Sequence, residues 1–191
     1  MAVIRRGRSN YMKQVVEGKM FLIKDAPVNT LEERIQRLED IRAIKECMYH
    51  YMRCCDNLDP VGMASCFTQT GKLSWGDVYP NYFDGKNAIL AHLKEIMGAA
   101  KTQTHYCTNE QIHFETSNSA IVYCCMYSWQ TFKNPDVADI YSFGRYESQV
   151  VRDMDGEWRF ESFKLIMAGA IGGMRASEQF GRPWPPVPIG R

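Results

Sequence analysis

The sequence lacks the short motifs that mark the common nucleotide, hydrolase and metal sites. It contains no GxGxxG, P-loop, GxSxG or HExxH segment, so dinucleotide binding, a hydrolase nucleophile elbow and a zincin centre have no support. It also contains no CxxC pair, which argues against a zinc ribbon. The seven cysteines are an odd number spread over helix and strand positions, and we expect them to be free thiols acting as small apolar side chains.

Long apolar runs and a strong excess of one charge are missing too. No run approaches the roughly 20 apolar residues that span a bilayer, and residues 1–29 lack the apolar core of a signal peptide. A net charge of +1 argues against a general nucleic-acid binder, because such proteins carry a concentrated basic footprint. We therefore expect a soluble, cytoplasmic protein that binds neither nucleic acid nor membranes.

Composition divides the chain into three parts. Residues 1–29 form a basic N-terminal arm without a sustained period, residues 30–168 form one folded domain, and residues 169–191 form a Gly- and Pro-rich C-terminal tail. Apolar residues make up 45% of the chain, which is enough for a sizeable core in a single domain.

Helices are predicted in the first half of the domain. Thr30 lies three residues before Glu33, the spacing of a capping box, and opens a long helix that ends near 54–57. Asp59 and Pro60 start a short helix that runs to about Phe67, with Asp59 as its N-cap. A third helix covers about residues 87–97.

Strands are predicted mainly in the second half. Segments near 103–115, 120–132, 139–152 and 157–167 alternate in the manner of strands, residues 72–75 form a brief strand, and 76–85 form a loop. Helices followed by a run of strands indicate an α+β fold. We expect a curved, cone-shaped antiparallel sheet wrapped around the long N-terminal helix and two shorter helices, with an apolar cavity inside.

A candidate site arises where the segment THYCTN meets the end of the long helix. The chain has only four histidines, and His105 is the one whose strand position best fits an inward side chain. Asp56 lies at the helix end, and a carboxylate on one imidazole nitrogen raises the basicity of the other. Tyr51, on the apolar stripe of the helix, could donate to an oxygen. The pattern alone leaves open that His105 and Tyr51 are ordinary core residues.

Other readings of these residues are weaker. Cys107 shares the face of His105 but lacks an oxyanion-type loop, which argues against a thiol nucleophile. The helices that carry His50 and His92 are rich in charge, so we expect both rings to be solvated, whereas strand alternation makes His113 a second candidate. A metal site would require His105, Asp56 and His113 to converge, and we expect neither a metal nor another cofactor.

The order of elements, with YMRCCD at a helix end, THYCTN on a strand and a late GRYESQVVRDMDGEWRF, resembles the SnoaL-like branch of the nuclear-transport-factor-like superfamily. Residues 30–168 are similar to scytalone dehydratase, bile acid 7α-dehydratase and hexachlorocyclohexane dehydrochlorinase. The resemblance implies that His105 is the base, that Asp56 orients it, and that Tyr51 is a catalytic tyrosine. It also assigns to substrate binding five further positions: Trp75, Ser128, Gln130, Glu147 and Lys164.

Three of those positions depart from the relatives. Ser128 stands where the bile acid enzyme has a second carboxylate, Gln130 stands near the second histidine of scytalone dehydratase, and Lys164 is the nearest cation to an arginine expected on the last strand. These changes leave the leaving-group partner and the substrate open.

The resemblance implies a cofactor-independent lyase that acts on a small hydrophobic aromatic or alicyclic hydroxylated compound. The reaction would be a dehydration or a deformylating retro-aldol cleavage. Two alternatives remain: a non-catalytic assembly subunit like the β subunit of a ring-hydroxylating dioxygenase, and a polyketide cyclase or isomerase. Homotrimers are usual among the dehydratases, so we expect a homotrimer, with Trp184 and the prolines after it as a candidate intersubunit element.

Overall fold

The computed structural model describes residues 25–75 and 82–172. Predictions on the arm before residue 25, on 76–81 and on the tail after 172 lie outside this part. The helices are α1 (Leu31–Asp56), α2 (Pro60–Ser65) and α3 (Lys86–Ala99). The strands are β1 (Phe67–Ser74), β2 (Tyr82–Asp84), β3 (Ala100–Phe114), β4 (Ser119–Phe132), β5 (Ile140–Arg152) and β6 (Trp158–Gly172).

The α+β prediction is confirmed. The strands form one six-stranded sheet in the order β2-β1-β6-β5-β4-β3, curved and open, with the three helices beside it. All neighbouring strands are antiparallel except β1 and β6, which run parallel. The first described strand, β1, therefore lies between β2 and the last described strand, β6.

The helix starts follow the predicted chemistry. Thr30 and Glu33 form the capping box, in which each side chain accepts the backbone N–H of the other residue. The Asp59 side chain accepts the N–H groups of Val61 and Gly62, and Pro60 occupies the first turn of α2. Two sets of free backbone donors are thus satisfied locally, which fixes where α1 and α2 begin.

The core lies between α1 and the inner face of the sheet. Ile44, Met48 and Tyr51 on α1 are almost fully buried. The inward residues of β1 and β6 that pack on Tyr51 are phenylalanines, with ring centroids 4.7–5.9 Å from the Tyr51 ring: Phe67, Phe160 and Phe163. An aromatic cluster of this kind gives a large apolar contribution to stability.

Three element boundaries differ from the predictions. The strand expected at 72–75 begins earlier, at Phe67. The preceding helix α2, which we expected to run to about Phe67, therefore ends at Ser65. The segment Tyr82–Asp84, predicted as loop, pairs antiparallel with β1. Strand β6 continues to Gly172, so residues 169–172 belong to the sheet and not to the tail.

A β-bulge divides β3 into two parts. The register with β4 shifts between Thr108 and Gln111, and Asn109 adopts a left-handed φ of 58°. Unbroken alternation would place His113 on the face of His105. Because the bulge adds a residue, the inward positions beyond it are even-numbered, and His113 points to the outer face, where its Nδ1 lies 3.7 Å from Asp25 Oδ1. The expectation of His113 as a second inward histidine is therefore wrong.

A buried carboxylate joins α1 to the last hairpin. Asp40, which is 5% exposed, accepts hydrogen bonds from Gln36 Nε2 at 3.0 Å, from Trp158 Nε1 at 3.2 Å and from the Arg152 guanidinium.

Asp40→Ala would leave the Arg152 guanidinium and the Trp158 indole N–H without this carboxylate as a partner. We expect the free energy of unfolding to fall by about 3 kcal/mol, measured by urea denaturation, whereas the exposed Glu39→Ala changes it by less than about 0.5 kcal/mol. Equal effects of the two substitutions would contradict a structural role for Asp40.

Candidate active site

The end of α1 is held by a Schellman motif. The Asp59 N–H donates to the Cys54 carbonyl at 2.8 Å, and the Leu58 N–H donates to the Cys55 carbonyl at 3.0 Å. Leu58 adopts φ 55°, the left-handed conformation that this motif requires. The turn stops the helix directly after Asp56 and turns the chain away, which leaves the Asp56 carboxylate facing β3.

Asp56 meets His105 through two separate hydrogen bonds. His105 Nδ1 lies 2.8 Å from Asp56 Oδ1, and the backbone N–H of His105 donates to Asp56 Oδ2 at 3.2 Å. The His105 side chain is 7% exposed and the Asp56 side chain 30%. Both carboxylate oxygens therefore hold the same residue, so the ring position is fixed as well as its proton.

The position of Asp56 at the end of α1 is electrostatically unfavourable with respect to the helix dipole. The C-terminal end of a helix carries partial negative charge, which disfavours a carboxylate there and favours a cation nearby. The two donors of His105 offset this local cost. The same field stabilises an imidazolium at His105 once the ring accepts a proton, which is what a general base requires.

The second ring nitrogen faces inward. A carboxylate on Nδ1 places the proton on that nitrogen, so Nε2 carries the free electron pair. Gln130 Nε2 lies 3.4 Å and Cys55 Sγ 3.9 Å from His105 Nε2. The Gln103 amide donates to the Cys55 carbonyl and lies 3.2 Å from its sulfur, which fixes the thiol beside the imidazole. The Nε2 side of the ring thus points into a polar cluster on the inner face.

Two phenols face the same interior. Tyr51, 2% exposed, has a buried hydroxyl with no hydrogen-bond partner among the described residues. Tyr146 on β5 is 4% exposed, and its ring centroid lies 4.6 Å from that of Phe163, which also packs on Tyr51. Burial raises the pKa of Tyr51 and of Tyr146 well above the usual value, so both remain protonated donors at neutral pH.

Of the predicted binding residues, Ser128 and Gln130 face His105. Ser128 is buried and is the direct partner of His105 across the β3–β4 ladder. Gln130 lies on the same face, two residues further along β4. Their part in substrate binding stays a prediction.

Trp75 contacts a histidine that we expected to be solvated. His92 on α3 is 7% exposed, stacks on Phe83 with centroids 3.8 Å apart, and accepts a hydrogen bond from Trp75 Nε1 at 2.7 Å. Burial lowers the pKa of His92, which keeps Nε2 unprotonated and able to accept. The prediction for His92 was wrong because this helix position is covered by β2, which was read as loop. His50, by contrast, is exposed as predicted.

Two of the predicted binding residues, Glu147 and Lys164, lie on the outer face of the sheet. The inward residues of β5 are even-numbered, from Ser142 to Val150, and Glu147 lies on the outer face with Arg145 Nε 3.3 Å from its Oε1. Lys164 is the β6 partner of Glu147, between inward Phe163 and Leu165, and shares that outer face. Neither side chain can reach an interior substrate from there, so their assignment to the binding site was wrong.

Sequence reasoning missed three residues of the interior: Cys55, Gln103 and Tyr146. Each had a signal. Cys55 follows Tyr51 by four positions on α1, Gln103 precedes His105 by two on β3, and Tyr146 alternates with outward Arg145 and Glu147.

The cysteines are free thiols, as predicted. A hydrogen bond with Cys124 and then burial raise the pKa of Cys107, and burial raises the pKa of Cys55. Raised values keep these groups as thiols, which disfavours a thiolate nucleophile at either position.

Cys55, Asp56 and His105 are also a candidate metal set, since one ligand atom of each lies within 4.8 Å of the others. Their arrangement fits a hydrogen-bonded dyad better. Asp56 lies on Nδ1 and Cys55 on Nε2 of the same ring, whereas a metal ion binds one of these nitrogens. The histidine expected as a further ligand, His113, is on the outer face. The absence of a metal stays a prediction.

Solved structures share this fold. A protein from Novosphingobium aromaticivorans DSM 12444 described as a "Putative Scytalone Dehydratase" aligns with TM-score 0.69 and 23% identity over 83% of this chain and 98% of its own. A hexachlorocyclohexane dehydrochlorinase (LinA) of type 2 aligns with TM-score 0.66 and 16% identity over 82% and 99%. A "Putative Aromatic Ring Hydroxylase" from Novosphingobium aromaticivorans aligns with TM-score 0.66 and 19% identity over 74% and 98%.

Three further observations complete the comparison. No curated protein sequence matches the chain. Within the described ranges, no helix has the length and apolar character needed to cross a membrane. The family model of the SnoaL-like domain matches residues 36–164, which include Asp56, His105 and Gln130 of the candidate site and the first part of β6. The chain therefore belongs to the SnoaL-like domain family.

Proposed function

We propose that the protein is a cofactor-independent lyase in which His105 is the general base. The observation that carries the proposal is the Asp56–His105 pair, with Nδ1 held at 2.8 Å and Nε2 directed inward. A base fixed in this way on rigid elements suits proton abstraction from a bound substrate. The cavity that would hold the substrate stays a prediction.

In a dehydration, His105 Nε2 takes a proton from carbon, and the electron pair of that C–H bond forms the double bond. The C–O bond on the neighbouring carbon breaks, and its pair leaves with the oxygen. The Tyr51 phenol donates a hydrogen bond to this oxygen, and the proton taken up by His105 completes the water. Both side chains return to their starting states, so no cofactor enters the balance.

A retro-aldol cleavage uses the same groups. His105 takes a hydroxyl proton, the O–H electron pair forms the carbonyl of the departing formaldehyde, and the electron pair of the C–C bond passes to the rest of the substrate. The imidazolium then returns its proton to that part of the substrate, which restores the base. A phenol donor then stabilises the oxygen that gains charge. Because Lys164 is on the outer face, Tyr51 and Tyr146 are the residues that we assign to the oxygen.

The interior favours a small hydrophobic substrate with one or two oxygens. Phe163, Met126 and Leu165 are buried apolar residues on the inner face of the sheet, and polar groups there are concentrated around His105. Sites of this composition bind apolar ligands and use a few polar groups for orientation. Among the similar structures, the one described as a "Putative Scytalone Dehydratase" and the hexachlorocyclohexane dehydrochlorinase are consistent with elimination.

A second candidate is a non-catalytic binding subunit. One similar structure is described as a "Putative Aromatic Ring Hydroxylase", which is consistent with a role beside a ring-hydroxylating partner. Copurification of the full chain with a larger iron-containing partner, together with no turnover of any substrate tested, would favour this candidate.

The test of the proposal is a spectrophotometric screen with hydroxylated aromatic and alicyclic ketones and alcohols. Elimination creates a conjugated chromophore, and cleavage releases formaldehyde, which a colorimetric reagent detects. We expect turnover that persists after dialysis against EDTA. Turnover that disappears with EDTA and returns with Zn²⁺ would instead support a metal site at Cys55, Asp56 and His105.

Tyr51→Phe separates a catalytic from a packing role. The hydroxyl has no hydrogen-bond partner among the residues that the structure describes, so its removal leaves none of them unsatisfied, and we expect the free energy of unfolding to change by less than about 1 kcal/mol. Loss of a donor to the transition state should lower kcat by about 100-fold. Thermal unfolding and steady-state kinetics of the purified variant measure the two effects. Full activity would leave Tyr51 as a core aromatic only.

A further inference from the structure

The last turn of α1 is attached to β3 at two consecutive residues. The Gln103 side-chain amide donates to the Cys55 carbonyl and lies 3.2 Å from the Cys55 sulfur. The next residue of the helix, Asp56, accepts from His105. Gln103 and His105 are alternate residues of β3, so their side chains leave the same face about 6.8 Å apart along the strand. Two separated contacts restrain the rotation of the helix end as well as its distance from the strand.

Gln103 is a buried part of this contact. The residue is 9% exposed, and its amide nitrogen contacts both the carbonyl and the thiol of Cys55. A carbonyl oxygen can only accept a hydrogen bond, which places the NH₂ group and not the amide oxygen beside it. The same carbonyl accepts the Leu58 N–H at 3.0 Å. The amide thus adds a donor from the sheet to the Schellman motif that ends α1.

The amide also changes the electrostatics of the helix end. The carbonyls of the last turn carry the partial negative charge of the helix dipole, and the Asp56 carboxylate follows directly. The Gln103 N–H brings partial positive charge to the Cys55 carbonyl. It therefore reduces the repulsion that the Asp56 carboxylate meets at the position where it accepts from His105.

Another contact between α1 and β3 lies further along the strand. The Tyr49 hydroxyl donates to Glu110 Oε1 at 3.2 Å. Glu110 is part of the β-bulge, where the register of β3 with β4 shifts. Gln103 and His105, by contrast, both lie within residues 102–108, whose register with β4 is unbroken. The position of Gln103 is therefore coupled more directly to that of His105 than the Tyr49 contact is.

We propose that Gln103 is a positioning residue, whose amide keeps the last turn of α1 where the Asp56 carboxylate meets His105 Nδ1. Without this amide, the last turn can rotate about the Asp56–His105 hydrogen bond. The imidazole tautomer is then less firmly fixed, and Nε2 carries the free electron pair for less of the time. The effect on turnover rests on the proposed function, whereas the effect on the imidazole does not.

The test uses Gln103→Met in the full chain, which keeps the length of the side chain and removes its donor. ¹⁵N NMR at a pH where the imidazole is neutral reports both ring nitrogens of His105, assigned with His105→Gln. We expect the two ¹⁵N shifts to move towards each other, which marks a mixture of tautomers. Tyr49→Phe removes the other hydrogen bond between α1 and β3 and is the matched control. It should leave both shifts unchanged.

Kinetics give a second measurement on the substrate that the screen identifies. Gln103→Met should lower kcat by about 10–100-fold, because a misplacement of about 1 Å at a catalytic group has an effect of this order. KM should stay within about twofold, since the apolar interior that binds the substrate is unchanged. Tyr49→Phe should change neither constant by more than about twofold.

Urea denaturation checks that each variant is folded. If Gln103→Met does not fold, Gln103→Asn takes its place, because it keeps an amide but withdraws the donor by about 1.5 Å, and the same movement of the ¹⁵N shifts is expected. Unchanged shifts in the folded variant overturn the proposal. So does an equal movement in Tyr49→Phe, since any loosening of α1 on β3 would then have the same effect. If His105→Ala retains turnover while Gln103→Met moves the shifts, the proposed reaction is wrong and the positioning role of Gln103 is supported.

Discussion

His105→Ala is expected to reduce kcat/KM by at least about 100-fold on the substrate that the screen identifies, because it removes the group that takes the proton. The side chain is 7% exposed and packs between the end of α1 and β4, so folding must be checked separately. Urea denaturation and kcat/KM of the same preparation measure both quantities. His105→Gln, which keeps polar atoms at the ring position, should be as inactive as His105→Ala and closer to the unaltered protein in stability.

The chain offers a matched control for this substitution. His113 lies on the same strand, eight residues further along, and its Nδ1 is 3.7 Å from the carboxylate of Asp25. It is therefore another histidine beside an aspartate, but on the outer face. His113→Ala should leave kcat/KM within about twofold of the unaltered protein. If His105→Ala also retains normal turnover, His105 is not the base and the proposed mechanism is wrong.

The parts of the fold that follow from local chemistry were predictable. The capping box at Thr30 and the Asp59–Pro60 start depend on residues within three positions of one another, and both form as expected. The meeting of His105 with Asp56 was suggested by position and by resemblance together, and the observed hydrogen bonds agree with that geometry. Their catalytic roles stay predictions.

The predictions that were wrong depend on which face of a strand a residue occupies, or on burial by a segment distant in the sequence. The bulge after Thr108 requires a left-handed residue, and Asn109 is one of the few types that tolerates it, yet nothing nearby fixes its position. Strand alternation predicted that Glu147 and Lys164 face outward, because each directly follows an inward residue, Tyr146 or Phe163. The positions carried over from relatives were given more weight than this alternation, which caused the error. His92 was misread because its cover comes from β2, a strand of three residues with almost no sequence signal.

These corrections change the chemistry that the site can perform. Without Lys164 the described interior around His105 contains neutral donors rather than a cation: two phenols, a buried serine and two amides. Neutral donors stabilise a developing charge less than an ion does but need no desolvation of a counter-ion. The arrangement favours a substrate whose leaving oxygen requires a hydrogen bond, such as a hydroxyl next to an activated C–H bond.

Asp56 is the residue for which two similar substitutions should give different results. One carboxylate oxygen accepts a hydrogen bond from the His105 backbone N–H, a group that can only donate, and the other accepts a hydrogen bond from Nδ1. In Asp56→Asn the single remaining oxygen satisfies the backbone N–H, so the new NH₂ group faces Nδ1. Nδ1 must then accept, which moves the ring proton to Nε2 and removes the inward electron pair.

We therefore expect Asp56→Asn to lower kcat by about 10³-fold or more, the size of effect that a reversed tautomer has on a histidine base. Asp56→Ala removes orientation but leaves the tautomer free, and should lower kcat by only about 10–100-fold. Kinetics of the two variants give the order, and ¹⁵N NMR of the imidazole shows which nitrogen carries the proton. Asp56→Asn that is more active than Asp56→Ala, with the proton still on Nδ1, would contradict this expectation and mean that Asp56 acts by accepting a hydrogen bond and not by its charge, because a neutral acceptor in the same place would then be sufficient to hold the ring.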